Sequence, residues 1–176
     1  MLLGYEDSGM TGDCGPESLA GARFEDVRDA VSDCIKDVRP DIVVTLDASD
    51  GHRDHARIRD ATLAAVDNSG VMVERVYLQC LARSLMRRWQ EHMAANAPSS
   101  EHVDIIDIGI PDDDITTVID AARYLPKRLQ AMALHASQTS PYEGLPPDLH
   151  RDFLATDRLL RVRPPWQGGP PEHDIF

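Results

Sequence analysis

The sequence predicts an α/β fold, a mainly parallel sheet flanked by helices, and three observations carry that prediction. Ile42-Val43-Val44-Thr45-Leu46 is a β-branched run between Pro40 and a polar loop, the composition of a strand covered on both faces. Apolar residues recur at three- and four-residue steps on either side of it, from Phe24 to Val38 and from about Ala56 to Val66. The resulting helix, strand, helix order is the one that lays helices over a sheet.

Each element follows in turn. Met1 to Tyr5 is apolar and reads as the tail of a strand that enters a glycine-punctuated loop ending near Ala22. In the first helix Phe24, Val27, Ala30, Val31, Cys34, Ile35 and Val38 share one face, and Pro40 ends it. The second helix opens between His52 and His55 and stops at Asn68-Ser69-Gly70. A second strand is expected over Val71 to Leu78. A helix from Leu81 to Met93 then buries Leu85, Met86 and Trp89 and keeps Arg83, Arg87 and Arg88 wet.

Ala94 to Glu101 is a loop, Val103 to Ile108 a third strand, and Ile115 to Ile119 a further strand after Pro111-Asp112-Asp113-Asp114. Those three aspartates suit a solvated turn or a helix start, where carboxylates are favoured without any ligand. A helix runs from Arg123 toward His135. Residues 140–176 are expected to be too rich in proline for another sheet layer and to wrap the domain, with one helix from Asp148 to Ala155 and anchors at Leu149, Phe153, Leu154 and Trp166.

Composition sets the limits on function. The 176 residues suffice for one domain with a sizeable core, and a net charge of −12 opposes binding to phosphate backbones, so nucleic acid is not an expected partner. Cys14, Cys34 and Cys80 are widely spaced, which indicates neither a disulfide framework nor a cysteine zinc site and suits a reducing cytoplasm. No stretch approaches the roughly 18 apolar residues of a membrane span, so no membrane partner is expected.

Chemistry concentrates in Asp47-Ala48-Ser49-Asp50-Gly51-His52-Arg53-Asp54-His55, just past the carboxyl end of the Ile42 strand, where open α/β sheets place ligands. On a first helical turn His52 and His55 share a face. Such a pair binds one metal together, or binds it through one ring and leaves the other to act on substrate. Asp54 between them is a candidate ligand, base or orienting partner.

The run Arg39-Pro40-Asp41-Ile42-Val43-Val44-Thr45-Leu46-Asp47, followed by Gly51-His52-Arg53-Asp54-His55, resembles a signature of the LmbE-like, or PIG-L, family of zinc-dependent N-deacetylases. Leu3-Gly4-Tyr5-Glu6-Asp7-Ser8-Gly9-Met10 resembles the Leu-Gly-Tyr-x-Asp-Ser-Gly-Met segment of that family, and His135-Ala136-Ser137-Gln138, Arg163-Pro164-Pro165 and Pro171 to Phe176 resemble later stretches. Three departures stand out. Arg53 replaces a usual proline, and the loop from Asp47 to His52 is short and lacks an aromatic. The first signature, Ala-His-Pro-Asp-Asp-Glu, does not occur in these residues.

The resemblance implies a Rossmann-like deacetylase fold and hydrolysis of an N-acetyl group on a small amino-sugar conjugate by a water held on Zn2+. It implies that His55 is a zinc ligand, that His52 stabilises the oxyanion or protonates the leaving amine, and that Asp54 orients His52 and favours its charged form. Asp7 would contact sugar hydroxyls and Met10 line the pocket. The remaining ligands, one His and one Asp, and the base Asp would lie in the first signature. Residues 1–176 are therefore expected to form a single, N-terminally incomplete domain, inactive as it stands and prone to self-association along an uncovered strand edge. A homo-oligomer is one form that association could take.

The rival readings are a pseudoenzyme or fragment that keeps a sugar-binding wall, and a metal phosphohydrolase of the His-Asp type, whose largely helical build conflicts with the Ile42 strand. His135, near the end of its helix, suits a structural role at the last carbonyls; the resemblance implies that it and Gln138 support the pocket wall, and neither is expected to be catalytic.

Overall fold

Arg39 and Pro40 close the first helix and send the chain directly into a strand. In the computed structural model, which describes residues 2–96, 107–135 and 140–176, α1 spans Phe24–Val38 and β1 spans Ile42–Leu46. Arg39 takes a left-handed conformation, with φ 51°, and donates its N–H to the Ile35 carbonyl at 2.8 Å. That turn satisfies a terminal carbonyl of α1 and redirects the backbone.

The fold is α/β, as expected, and divides into two compact units, Met1–Cys80 with Leu160–Gln167, and Leu81–Leu159 with Gly168–Phe176. The first holds α1, β1, α2 (Arg53–Asn68) and β2 (Arg75–Gln79). β1 and β2 run parallel, from Ile42 opposite Arg75 to Leu46 opposite Gln79. The second half of β4 (Thr156–Arg163) lies beyond β2, giving the order β1-β2-β4. Ile35 of α1 and Ala65 and Val66 of α2 pack with Val73 and Val76, and Val43 and Val162 close over them. Ala22, Val27 and Ala61 form a second buried group under Tyr5, Leu19 and Phe24. Burial of these faces is what makes α1 and α2 helices in this chain.

The second unit contains α3 (Arg83–Asn96), β3 (Thr117–Asp120), α4 (Leu125–Ala133) and α5 (Pro147–Leu154), with β3 antiparallel to the first half of β4. Leu85, Met86 and Trp89 are buried on α3, as its periodicity predicts. Leu149, Phe153 and Leu154 are buried on α5, and Arg88 of α3 pairs with Asp148 and Asp152 of α5. Asp112–Asp114 is a single exposed 3-10 turn, a solvated helix start as expected.

The sheet is mixed, because β4 supplies an antiparallel partner. The expectation that residues 140–176 are too proline-rich for a sheet layer fails at β4. Its eight residues contain no proline: Pro146 and Pro147 sit at the start of α5, and Pro164 follows the strand. Proline at a helix start or a strand end interrupts no hydrogen-bond ladder. The second strand begins at Arg75, four residues later than Val71. Most of the strand expected over Val103 to Ile108 lies outside the described residues.

Candidate active site

β1 ends at Leu46 and the polar loop turns back through Gly51, whose φ of +83° is a conformation that favours glycine. Asp50 organises that turn. One of its carboxylate oxygens accepts the His52 N–H at 3.1 Å, and the other meets His55 Nδ1 at 2.5 Å. His52 then occupies the N-cap of α2, and its Nδ1 accepts the Asp54 N–H at 3.2 Å, the task usually given to a short polar side chain.

These bonds settle the two imidazoles differently. His55 donates its Nδ1–H to the Asp50 carboxylate, so in the neutral ring Nε2 holds the lone pair of the kind a metal takes. His52 uses Nδ1 as an acceptor, so in the neutral ring the proton sits on Nε2 and that edge donates. His52 Nε2 stands 3.8 Å from Asp7 Oδ1, and the two ring centroids are 4.8 Å apart. His52, His55 and the Asp7 loop thus come together, as the sequence predicts. Met10 is half-buried in that loop.

Asp54 is 9 % exposed. Its Oδ2 accepts the Ser8 N–H at 3.0 Å, while Oδ1 is buried with no hydrogen-bond partner among the described residues. Burial pushes this carboxyl up, but the Ser8 hydrogen bonds and the field of His52 outweigh it and hold Asp54 below the usual carboxylate range. Asp50 follows the same pattern: burial raises it, and the His55 and His52 hydrogen bonds bring it below its ordinary value. The Asp50 hydrogen bond, against the opposing effect of burial, raises His55.

Asp7, His52 and Asp54 each offer a ligand-type atom, all within 4.8 Å of one another. The set of one imidazole and two carboxylates, with a buried carboxylate oxygen that has no hydrogen-bond partner among the described residues, fits a divalent cation such as zinc. His52 belongs to that group and His55 does not; Nδ1 of His52 is engaged by the Asp54 N–H, and Nδ1 of His55 by Asp50. Asp54 meets His52 through its backbone N–H, and its carboxylate acts on the ring through space.

The sequence reading gave Asp50 no role of its own and treated Arg53 only as a departure. Asp50 was detectable as an Asp two residues before His52, the spacing of an Asx turn. His135 is exposed just after α4 in the second unit, and Gln138 lies outside the described residues.

Residues 1–66 match the family model of GlcNAc-PI de-N-acetylases, PIG-L. The chain is 32 % identical to a 1D-myo-inositol 2-acetamido-2-deoxy-alpha-D-glucopyranoside deacetylase of Acidothermus cellulolyticus, over 98 % of this chain and 64 % of that protein. Proteins of the same name from Kineococcus radiotolerans and Geodermatophilus obscurus are 32 % and 28 % identical, over 78 % and 90 % of this chain and 45 % and 62 % of theirs. The chain therefore spans less than two thirds of the length of these relatives. The matched signature covers the loop of Asp7, β1, the His52 to His55 turn and α2, and on that ground the chain belongs to the PIG-L, or LmbE-like, family.

Proposed function

We propose that this chain supplies part of the active site of a zinc-dependent hydrolase that removes the acetyl group from an N-acetylglucosamine-type conjugate. The observation that carries the reading is the different anchoring of two adjacent imidazoles: Asp50 holds His55 at Nδ1 and leaves Nε2 as the edge open to a metal, while the Asp54 N–H holds His52 at Nδ1 and its Nε2 faces Asp7. A hydrolytic metal site needs both a ligand and a proton donor. The names of the relatives supply the substrate class.

His55 would hold the zinc, with Asp50 fixing its ring and raising its basicity. Bound there, zinc supplies a water acidic enough to attack at neutral pH and polarises the acetyl carbonyl. His52 donates its Nε2–H to the carbonyl oxygen as charge develops, or passes the proton to the departing amine. Asp54 would orient that ring through the backbone N–H it donates to His52 Nδ1. Asp7, exposed at the mouth, accepts hydrogen bonds from sugar hydroxyls, and Met10 gives the sugar an apolar contact. A reducing cytoplasm is the proposed setting, on the cysteine usage already described.

The test is acetate release from an N-acetylglucosamine–inositol conjugate by a protein that joins these residues to the Ala-His-Pro-Asp-Asp-Glu signature, stripped of metal and then given Zn2+. Release that appears with zinc, stops with a chelator and returns on readdition is expected. Turnover indifferent to chelation, or none in the presence of zinc, would overturn the reading.

A further inference from the structure

Four main-chain carbonyls of one loop converge on a single side chain. Arg53 Nε donates to Gly9 O at 2.7 Å, Nη1 to Gly12 O at 2.7 Å, and Nη2 to both Ser8 O and Thr11 O, the latter at 2.9 Å. We propose that Arg53 is a positioning residue for substrate, a strap that ties the Ser8–Gly12 loop to the first turn of α2 and thereby sets where Asp7 and Met10 stand.

The chemistry of the contact favours this assignment. Four carbonyl oxygens gathered within reach of one group repel each other unless a cation lies among them, and guanidinium offers charge and a planar fork of donors together. A lysine ammonium is a point charge with three donors and cannot span the same four oxygens. The loop is gripped from its other side by the next residue, since Asp54 Oδ2 accepts the Ser8 N–H at 3.0 Å. Successive residues of α2, one cationic and one anionic, therefore hold the acceptors and a donor of the same strand of loop.

Asp7 has little else to place it. Its side chain is 78 % exposed, its Oδ1 accepts the Gly9 N–H at 2.7 Å, and so its direction follows the backbone that Arg53 holds. Arg53 is the first residue of α2 after the N-cap His52, so the strap also fixes the loop against the imidazole that faces Asp7 at 3.8 Å. The substrate consequence rests on the deacetylase reading. A loop freed from Arg53 would present Asp7 and Met10 in many arrangements, costing affinity for a polyhydroxyl sugar while leaving His52 and His55 in place.

Position 53 permits a clean experiment, because the first residue of a helix accepts proline without losing a hydrogen bond. Arg53→Pro removes the guanidinium and leaves α2 able to form; Arg53→Ala and Arg53→Lys accompany it. Hydrogen exchange of the amides from Gly9 to Gly12 should quicken by about tenfold or more in the Pro and Ala variants, with Ala65 and Val66 in α2 unchanged. Lysine should restore protection only in part, and millimolar guanidinium should restore it in Arg53→Ala. In steady state KM for the conjugate should rise by about tenfold with kcat within about threefold of the parent, the mark of lost ground-state binding.

Loop exchange that is the same in all four proteins would overturn the strap, and so would a fall in kcat with KM unmoved. If the parent, joined to that signature, releases no acetate from any conjugate, the deacetylase reading fails by itself, and the exchange and guanidinium arms still decide whether Arg53 holds the loop.

Discussion

Asp50 Oδ2 lies 2.5 Å from His55 Nδ1, and that one contact fixes both the orientation of the ring and the nitrogen left available to a metal. Asp50→Asn should keep the turn, since an amide oxygen can still accept the His52 N–H, but it exchanges the anionic partner of His55 for a neutral one. Zinc affinity should fall by about 10–100-fold, the usual cost of losing a ligand's supporting carboxylate. Competition titration against a chromophoric chelator measures it, and unchanged affinity would show that Asp50 does not serve His55.

In a protein that also carries the first signature, the two histidines should separate cleanly. His55→Ala is expected to abolish zinc stoichiometry and turnover together, whereas His52→Ala should retain zinc and lose roughly 10²-fold or more in kcat. Metal analysis beside kinetics distinguishes them: zinc kept in the first variant and lost in the second would exchange their roles.

Ala65 is wholly buried among Ile35, Val66, Val73 and Val76, where α2 lies against α1 and the sheet. Ala65→Leu adds three carbons to a space with no room for them and should cost about 1–3 kcal/mol. The measurement is the midpoint of urea unfolding; a midpoint equal to the parent's would mean that this interface is loosely packed.

Asp112 caps α3 from a distance, accepting the Ser84 N–H at 3.0 Å and the Ser84 hydroxyl. These bonds to Ser84 hold its carboxyl below the ordinary value against a small opposing effect of burial. A depressed carboxyl contributes stability that is present above the unfolded value of about 3.9 and is lost as pH falls through the folded value. Asp112→Ala should therefore lower stability by no more than about 1 kcal/mol near neutrality, given its exposure, and the difference should shrink below pH 4. A penalty that persists at pH 2 would mean that the cap is not electrostatic.

In the first unit β1 is the outermost strand of the β1-β2-β4 order, and Val44 on it is 47 % exposed. An apolar edge of this kind invites pairing with a second copy. Sedimentation of residues 1–176 should reveal concentration-dependent association that Val44→Lys reduces. A monomer at all concentrations would remove the edge as a contact.

The parts of the fold written in local chemistry were legible. Phe24 to Val38 announced α1 by spacing, and Pro40 announced its end, because both signals depend on neighbours along the chain. β4 was hidden because proline was weighed across residues 140–176 as composition, while the strand depends on where the prolines fall. At the site, the pairing of His52 with His55 was visible as a three-residue step. The Asp50 to His55 bond and the Arg53 strap were not, for the first needs the turn to close and the second joins side chain and carbonyls more than 40 residues apart.

His52 has two occupations that use opposite edges of one ring. Nδ1 starts α2 by taking the Asp54 amide, and Nε2 faces the Asp7 loop. Fluctuations of the helix end and of the Nε2 edge are therefore one motion, and neither can be tuned alone. A replacement at this position must be short, must accept a backbone N–H, and must still reach outward with a donor. That excludes lysine and arginine, which cannot accept, and serine and aspartate, which spend their reach on the cap. The set of residues tolerated at position 52 is thus narrowed by the geometry of helix nucleation before any chemistry of the substrate is considered.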